Sequence, residues 1–119
     1  MKTKIFVGTG LGKKLVGCCE DGFIYRGTGW NREKIGVYQN GVIYSGCGWG
    51  KTELGVYDDD GCVYAGTGWG KKHIAMYSDG RIYHGTGWSK NPIGCYEGPD
   101  GGAAAAALLL FPAYQFALA

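Results

Sequence analysis

Four tryptophans recur at an almost constant interval along this chain, and this repeat constrains the fold more than any other feature. They are Trp30, Trp49, Trp69 and Trp88, and each follows a Gly-Thr-Gly or Gly-Cys-Gly tripeptide. Leu11 occupies the equivalent position one interval before Trp30. A fixed period of about 20 residues is typical of repeat proteins, in which each unit buries its apolar faces against its neighbours. The sequence therefore predicts five copies of one structural unit.

Each unit has the pattern of a β-hairpin followed by a glycine-rich connection. In the best-defined copy, residues 34–38 form one strand, Gln39-Asn40-Gly41 the turn and residues 42–44 the return strand. Asn-Gly or Asp-Gly between two short apolar runs is a strong hairpin signal, because both central residues need a positive φ. Residues 4–7 match the return strand alone, so they are predicted to be a first, unpaired copy of it.

The two faces of this hairpin are expected to be equally apolar. With a two-residue turn, Tyr38 lies opposite Ile43 and Val37 lies opposite Tyr44, which gives each face one aliphatic residue and one tyrosine. A sheet with one face in water would instead alternate apolar and polar residues. Both faces are therefore predicted to be covered, by adjacent hairpins, by the C-terminal tail or by a partner. Glycines recur in the middle of the first strand, and there we expect a tyrosine ring or another backbone to approach closely. These glycines are Gly36, Gly55 and Gly94.

Composition restricts the class of protein without identifying a partner. The 119 residues suffice for one domain with a modest core, and the 24 glycines are periodic, which favours ordered hairpins over disorder. The formal net charge of +2 is too small to indicate a partner. The five cysteines form no C-x-x-C pair and are interpreted as small apolar residues of a reducing compartment, with a disulfide or metal framework as the alternative. The N-terminus lacks the apolar segment of a signal peptide, so a cytoplasmic location is expected.

The repeat predicts that charge is sorted between the two edges of the array. In a meander of hairpins, the Asx-Gly turns lie on one edge and the Gly-x-Gly-Trp connections on the other. The connections carry 8 of the 12 basic residues, namely Lys13, Lys14, Arg32, Lys34, Lys51, Lys71, Lys72 and Lys90. Only two acids, Glu33 and Glu53, oppose them there. The turns and the segment after the last strand carry 8 of the 10 acids, namely Glu20, Asp21, Asp58, Asp59, Asp60, Asp79, Glu97 and Asp100.

A basic edge that also carries tryptophans is suited to an anionic partner such as nucleic acid, lipid head groups or an acidic glycan. The candidate anion-binding residues are Lys13, Lys14, Arg32, Lys51, Lys71, Lys72 and Lys90. The candidate aromatic ligand-binding residues are Trp30, Trp49, Trp69 and Trp88. A structural interpretation remains open, in which the lysines keep the loops soluble and each Trp packs over the next hairpin. A calcium site at the aspartate-rich turn of residues 58–60 is the less favoured interpretation of that segment.

Two families of repeat proteins share parts of this pattern. The order Gly-Trp, strand ending in an aromatic residue, Asx-Gly turn, short strand and Gly-x-Gly-Trp resembles the choline-binding and cell-wall-binding repeats. That resemblance implies ligand sites between hairpins, lined by the four tryptophans together with tyrosines such as Tyr38, Tyr57 and Tyr77. The phrase Asp79-Gly80-x-x-Tyr83-x-Gly85-x-x-Trp88 is similar to MORN repeats, which implies a role as a scaffold or membrane-associated module. Both resemblances cover residues 4–96. They rest on glycines and aromatic residues placed by hairpin geometry, so they are analogies of architecture.

The composition changes abruptly after the last repeat. Three segments are predicted: a hairpin repeat domain over residues 1–97, a Gly/Pro linker over 98–102 and an uncharged apolar tail over 103–119. Residues 103–111 should be helical, and Pro112 should break or kink the helix. The tail is expected to dock on the array or, in one variant, to lie inside a closed barrel. Insertion into a partner subunit and a membrane anchor are the alternatives. The anchor is less favoured because the tail is broken by proline and falls short of the roughly 20 residues that usually span a bilayer.

No arrangement of residues in this sequence indicates catalysis. The two histidines, His73 and His84, occupy different positions of their units, and no zinc-binding or phosphate-binding motif is present. We therefore predict an all-β antiparallel meander of five hairpins with about ten strands, open or closed, and a C-terminal apolar helix packed on or in it. The predicted function is a non-catalytic binding or scaffold module without a cofactor, which contacts an anionic or protein partner. A carbohydrate- or choline-binding module and a structural subunit, including a homo-oligomer formed through the tail, are the alternatives.

Overall fold

In a computed structural model, which describes residues 2–27 and 29–111, ten antiparallel strands close into a barrel around one helix. The elements are β1 (Lys2–Val7), β2 (Lys14–Glu20), β3 (Phe23–Arg26), β4 (Glu33–Gln39), β5 (Val42–Ser45), β6 (Thr52–Tyr57), β7 (Cys62–Ala65), β8 (Lys72–Ser78), β9 (Arg81–His84), β10 (Asn91–Glu97) and α1 (Gly101–Leu110). Each strand pairs with the next along the chain, and β10 pairs with β1. The predicted all-β fold with a C-terminal helix is confirmed, and the array is closed.

The hairpins form as the turn sequences predict. Asn40 has a φ of 53° and Gly41 a φ of 78°, so both central residues of the β4–β5 turn are left-handed. An asparagine or aspartate followed by glycine tolerates this conformation, and the twist of such a turn matches that of the flanking strands. Tyr38 pairs with Ile43 and Val37 with Tyr44, which is the predicted register.

The first strand closes the ring. In the pairing of β1 with β10, Ile5 lies opposite Tyr96, just as Ile43 lies opposite Tyr38 within the β4–β5 hairpin. Residues 4–7 are thus the return strand of a fifth hairpin whose first strand is β10, and the expectation that they are unpaired is wrong. Sequence proximity could not show this, because the two halves of that hairpin lie at opposite ends of the chain. Closure leaves the sheet without exposed edges.

A β-bulge at the same place in every repeat curves the wall. The register shifts between Ile24 and Tyr25 where β3 meets β4, and the equivalent shift occurs at each of the other four connections. Bulges increase the local twist and bend a strand, which a small closed barrel requires. The residue left over at the β3–β4 bulge is Ile35, and it packs against the core.

The core consists of α1 and the inner face of the wall. Residues 103–108 of the helix are fully buried, and all of them except Leu108 are alanines, which make the helix slim enough for the lumen. One fully buried aliphatic residue from each return strand faces the helix. These residues are Ile5, Ile24, Ile43, Val63 and Ile82. The inner face is therefore covered by the tail, as one of the predicted arrangements requires.

The mid-strand glycines allow this close packing. A Cβ at Gly36 would collide with the Phe111 ring and with the carbonyl oxygen of Tyr44. A Cβ at Gly55 would lie 2.7 Å from Leu110, and one at Gly94 the same distance from Leu108. The predicted approach of a neighbouring backbone is confirmed, but the side chains that fill the space are Leu and Phe of the tail, where a tyrosine was expected.

The helix begins at Gly101, within the segment predicted to be a linker. A Cβ at Gly101 would lie 2.5 Å from the Tyr96 ring, and one at Gly102 would collide with the Tyr57 ring. Tyrosines thus surround the first turn, and only glycine fits between them. Burial raises the pKa of the Tyr77 phenol to about 12 and also raises that of Tyr38, so both hydroxyl groups can donate hydrogen bonds at neutral pH.

Two hydrogen bonds hold the start of the helix in the wall. The Tyr38 hydroxyl donates to Asp100 Oδ2 at 2.8 Å, and the Asp100 backbone N–H donates to Thr3 Oγ1 at 2.8 Å. The helix ends at Leu110, so the predicted break at Pro112 lies outside the described residues. Within the described part of the chain, no helix is both long and apolar enough to span a membrane.

Candidate functional site

The barrel has two chemically different ends. Because the sheet is a closed antiparallel meander, the Asx-Gly turns all lie at one end, here called the turn end. The five Gly-x-Gly connections, residues 8–13, 27–32, 46–51, 66–71 and 85–90, all lie at the other, here called the connection end. The turns, which carry most of the acids, and the connections, which carry most of the bases, therefore lie at opposite ends of the barrel, as the repeat predicts. The separation is not complete, because Glu20 and Glu97 reach connection cations and Glu33 and Glu53 lie in strands beside the connections.

A left-handed glycine begins each connection, and in four of the five a second one follows two positions later; the exception is Gly48. In the copy at residues 66–71, Gly66 has a φ of 80° and Gly68 a φ of 67°. Gly68–Gly70 then form one turn of 3₁₀ helix, and the Lys71 N–H donates to the Gly68 carbonyl at 3.4 Å. Residues with a Cβ are disfavoured at a positive φ, which explains the recurring Gly-x-Gly. The residue after the second glycine, Trp69, is carried outward on this bend.

The four tryptophans are fully exposed. Their relative exposures are 103% to 106%, and that of Leu11 at the equivalent position is 108%. These five side chains, Leu11, Trp30, Trp49, Trp69 and Trp88, are called the apolar tips below. The interpretation that each Trp packs over the next hairpin is therefore wrong, because side chains this exposed are not covered by any neighbouring hairpin. Large apolar side chains exposed together are typical of a contact surface.

The cations of the connections lie over aromatic rings on the outer wall. Lys51 Nζ is 4.8 Å from the centroid of the Tyr44 ring, and Lys71 Nζ is 4.5 Å from that of Tyr64. The same contact occurs once in every repeat, which gives five equivalent cation–ring pairs, and Lys34 in β4 makes a sixth with Phe23 at 3.7 Å. The other three equivalent pairs are Lys13 with Phe6, Arg32 with Tyr25 and Lys90 with Tyr83. An exposed cation–π contact of this kind contributes about 0.5 to 1 kcal/mol and fixes where the charge lies.

These rings are site residues that the sequence analysis missed. A signal for them exists, because the cation follows its ring at the same interval in all five repeats, as in Tyr25 with Arg32 or Tyr44 with Lys51. Among the described residues, the predicted cover of both hairpin faces is found on the inner face only; on the outer face these rings lie beneath the cations of their own connections. Lys14 and Lys72, by contrast, begin β2 and β8, and their exposed side chains make no hydrogen bond or ion pair to the described residues.

Two of the five cations are also paired with acids. Lys13 Nζ lies 2.9 Å from Glu97 Oε2, and Arg32 Nη1 lies 2.8 Å from Glu20 Oε1. The hydrogen bond from each cation holds the pKa of its glutamate below the ordinary value of 4.5. Lys51, Lys71 and Lys90 make no ion pair within the described parts of the chain, so these three charges remain available to an anion.

Surface depressions adjoin two of the tips. One of about 620 Å³ is lined by Trp30, Tyr25 and Arg32 among others, and one of about 350 Å³ by Trp49 and Lys51. Each contains a single tryptophan. The tyrosines that the choline-binding resemblance implies, Tyr38, Tyr57 and Tyr77, pack on the core inside the barrel, so the structure does not bring them together with the tips.

The histidines and cysteines form no second site in the described residues. His73 stacks on Tyr64 with 5.0 Å between ring centroids, and its Nε2 lies 3.1 Å from the Ala75 carbonyl. All five cysteines are free thiols, and no group of three or more potential metal ligands occurs among residues 2–27 and 29–111. The calcium hypothesis also lacks support from Asp58, because its Oδ1 accepts the Asp60 and Cys62 backbone N–H groups and closes the turn.

Comparison with known proteins identifies no relative: no family model matches the chain, and neither a curated protein nor a solved structure does. The resemblances to choline-binding and MORN repeats therefore stay predictions. What can be said about function comes from the geometry of the connection end.

Proposed function

We propose that this protein is a non-catalytic binding or scaffold module whose connection end contacts an anionic partner. The observation that supports this most directly is the repeated arrangement of one apolar tip, one cation two positions later and one ring beneath that cation. It occurs five times around the barrel. Lys51, Lys71 and Lys90 supply charges that no acid of the described residues neutralises, so an anion can pair with them without breaking an ion pair.

The distribution of charge favours an approach in one orientation. The net charge is only +2, but most bases lie in or beside the connections and most acids at the turn end. Such a separation attracts an anionic partner to one end and repels it from the other. The exposed tips add an apolar contribution: moving roughly a third of an indole, about 70 Å², out of water is worth about 2 kcal/mol.

The test is salt-dependent binding to a generic polyanion. The protein should bind a heparin column at low ionic strength and elute as salt is raised, because exposed charge pairs are screened by salt. Reversing three charges at the connection end should abolish retention and leave the circular dichroism spectrum unchanged. The changes are Lys51→Glu and Lys71→Glu in the connections and Lys72→Glu at the start of β8.

The matched control reverses three charges outside the connections, Lys2→Glu with Lys4→Glu and Arg81→Glu. It changes the net charge by the same amount, so its retention should stay well above that of the connection variant. If the unaltered protein binds no polyanion at low salt, the proposal is wrong. If both variants lose retention equally, net charge alone controls binding and the connection end has no special role.

A further inference from the structure

The chemical class of the anionic partner can be specified further, and this inference rests on the function proposed above. We infer that the partner is the surface of a lipid bilayer containing anionic lipids, which the five apolar tips enter together. The barrel then stands on the membrane with its connection end down and its acidic turn end facing the solvent.

A flat surface suits the five tips because they lie in one plane. Five equivalent units in a closed ring place equivalent residues at the same height along the barrel axis. The dimensions of the molecule agree with a ring, since its principal extents are 39, 38 and 26 Å, two nearly equal and one shorter. A flat surface can contact all five tips at once. A linear polyanion would have to follow the rim of the ring to do so.

The fifth tip, Leu11, is apolar but not aromatic, which favours a bilayer over a partner held by stacking. Nucleic-acid bases and sugars are held by stacking on aromatic faces, and Leu11 offers no such face. Insertion into the interfacial region of a bilayer requires only apolar surface, which leucine and tryptophan both provide. Leu11 is as exposed as the four tryptophans. The property shared by all five positions is thus apolar character, and tryptophan is the residue preferred at membrane interfaces.

At the connection end, the apolar tips and the cations lie at different levels along the barrel axis. No acid occurs in residues 8–13, 27–32, 46–51, 66–71 and 85–90, and each of these segments has a cation two positions after its tip. That cation is held against the wall by its ring, for example Lys71 over Tyr64, instead of extending with the tip. Tips buried among the head groups would therefore bring Lys51, Lys71 and Lys90 to the level of the lipid phosphates. Interfacial binding of this kind combines apolar burial with attraction to anionic lipids.

The experiment measures binding to vesicles of phosphatidylcholine with and without phosphatidylserine. The protein should co-sediment with the anionic vesicles, its tryptophan emission should shift to the blue, and added salt should weaken binding. Trp49→Ser should lower the partition coefficient by roughly 20- to 30-fold, as expected when about a third of an indole no longer leaves water. Leu11→Trp should raise the partition coefficient, because all five tips would then be tryptophan, the residue preferred at membrane interfaces.

Gln39→Trp is the matched control, because Gln39 is an exposed, neutral residue at the turn end. It adds the same indole there and should change nothing. Binding to heparin but not to anionic vesicles would overturn the bilayer inference and leave the proposed function intact. Binding to neither would overturn both. Vesicle binding that is indifferent to Trp49→Ser and Leu11→Trp would also overturn the inference, since the tips would then lie outside the lipid.

Discussion

Leu108 provides the sharpest test of a helix packed inside the barrel. Its side chain is fully buried and contacts the wall where β10 carries Gly94, so Leu108→Ala leaves a cavity that the closed sheet cannot fill. Removing a fully buried leucine side chain costs about 2 to 5 kcal/mol. Because the whole free energy of unfolding of a native domain is typically about 5 to 15 kcal/mol, this one change should remove a large part of it.

The matched control is Leu11→Ala, the same chemical change at a fully exposed position. It should alter the free energy of unfolding by less than about 0.5 kcal/mol. Urea denaturation followed by circular dichroism measures both variants. For a domain of this size, Leu108→Ala should also lower the melting temperature by about 8 to 20 °C. If Leu108→Ala is no more destabilising than Leu11→Ala, the helix does not occupy the lumen and the core described here is wrong.

Two further predictions concern the same architecture. Gly102→Ala should destabilise the fold by about 1 to 3 kcal/mol, because the new Cβ would meet the Tyr57 ring and this outweighs the better helix propensity of alanine. Gly48→Ala is the control: a Cβ there meets open space, so this variant should be nearly neutral in the same denaturation assay. Glu20→Gln should be less stable than the unaltered protein at neutral pH, and the difference should vanish in acid. Because Arg32 lowers the pKa of Glu20, the stability that the ion pair contributes is present above the ordinary pKa of 4.5 and is lost as pH falls through the lowered pKa. Melting temperatures of both proteins between neutral pH and about pH 3 test this. A difference that persists at about pH 3 would show that the ion pair is not its cause.

Local chemistry made the hairpins predictable from sequence. Asn40-Gly41 specifies a left-handed pair of residues regardless of what surrounds it, and the register of Tyr38 with Ile43 follows from the turn length. The separation of charge between the two ends followed from the same reasoning, because a meander puts all turns of one kind on one side. Each of these inferences needed only the residues of a single repeat.

Closure and the position of the helix required contacts between distant residues. The pairing of Ile5 with Tyr96 joins the two ends of the repeat domain, and no local pattern distinguishes it from an open array. The alanine run was compatible with a helix inside a barrel but also with docking outside or in a partner. The choice depends on whether the lumen of five repeats matches the width of such a helix, which is a property of the assembled ring.

The tips show why periodicity alone misjudges a surface. One tryptophan in each repeat is compatible with packing between neighbouring units, and that interpretation proved wrong. In four connections the tip follows two left-handed glycines, such as Gly66 and Gly68, and lies in a 3₁₀ turn. Trp49 follows Gly48, which is not left-handed, and is equally exposed, so the exposure of the tips does not depend on one local conformation. The constant interval between each ring and its cation, by contrast, was present in the sequence and could have identified Tyr44 or Tyr64 as site residues.

The central claim of this account is that the connection end is the working surface and that the turn end and the lumen are structural. Hydrogen–deuterium exchange with and without heparin, read by mass spectrometry, tests it most directly. New protection should appear in the connections, above all in residues 46–51, 66–71 and 85–90, while the turns around Asn40 and Asp79 and the helix of residues 101–110 stay unchanged. Protection centred on the turns, or on none of these segments, would contradict it.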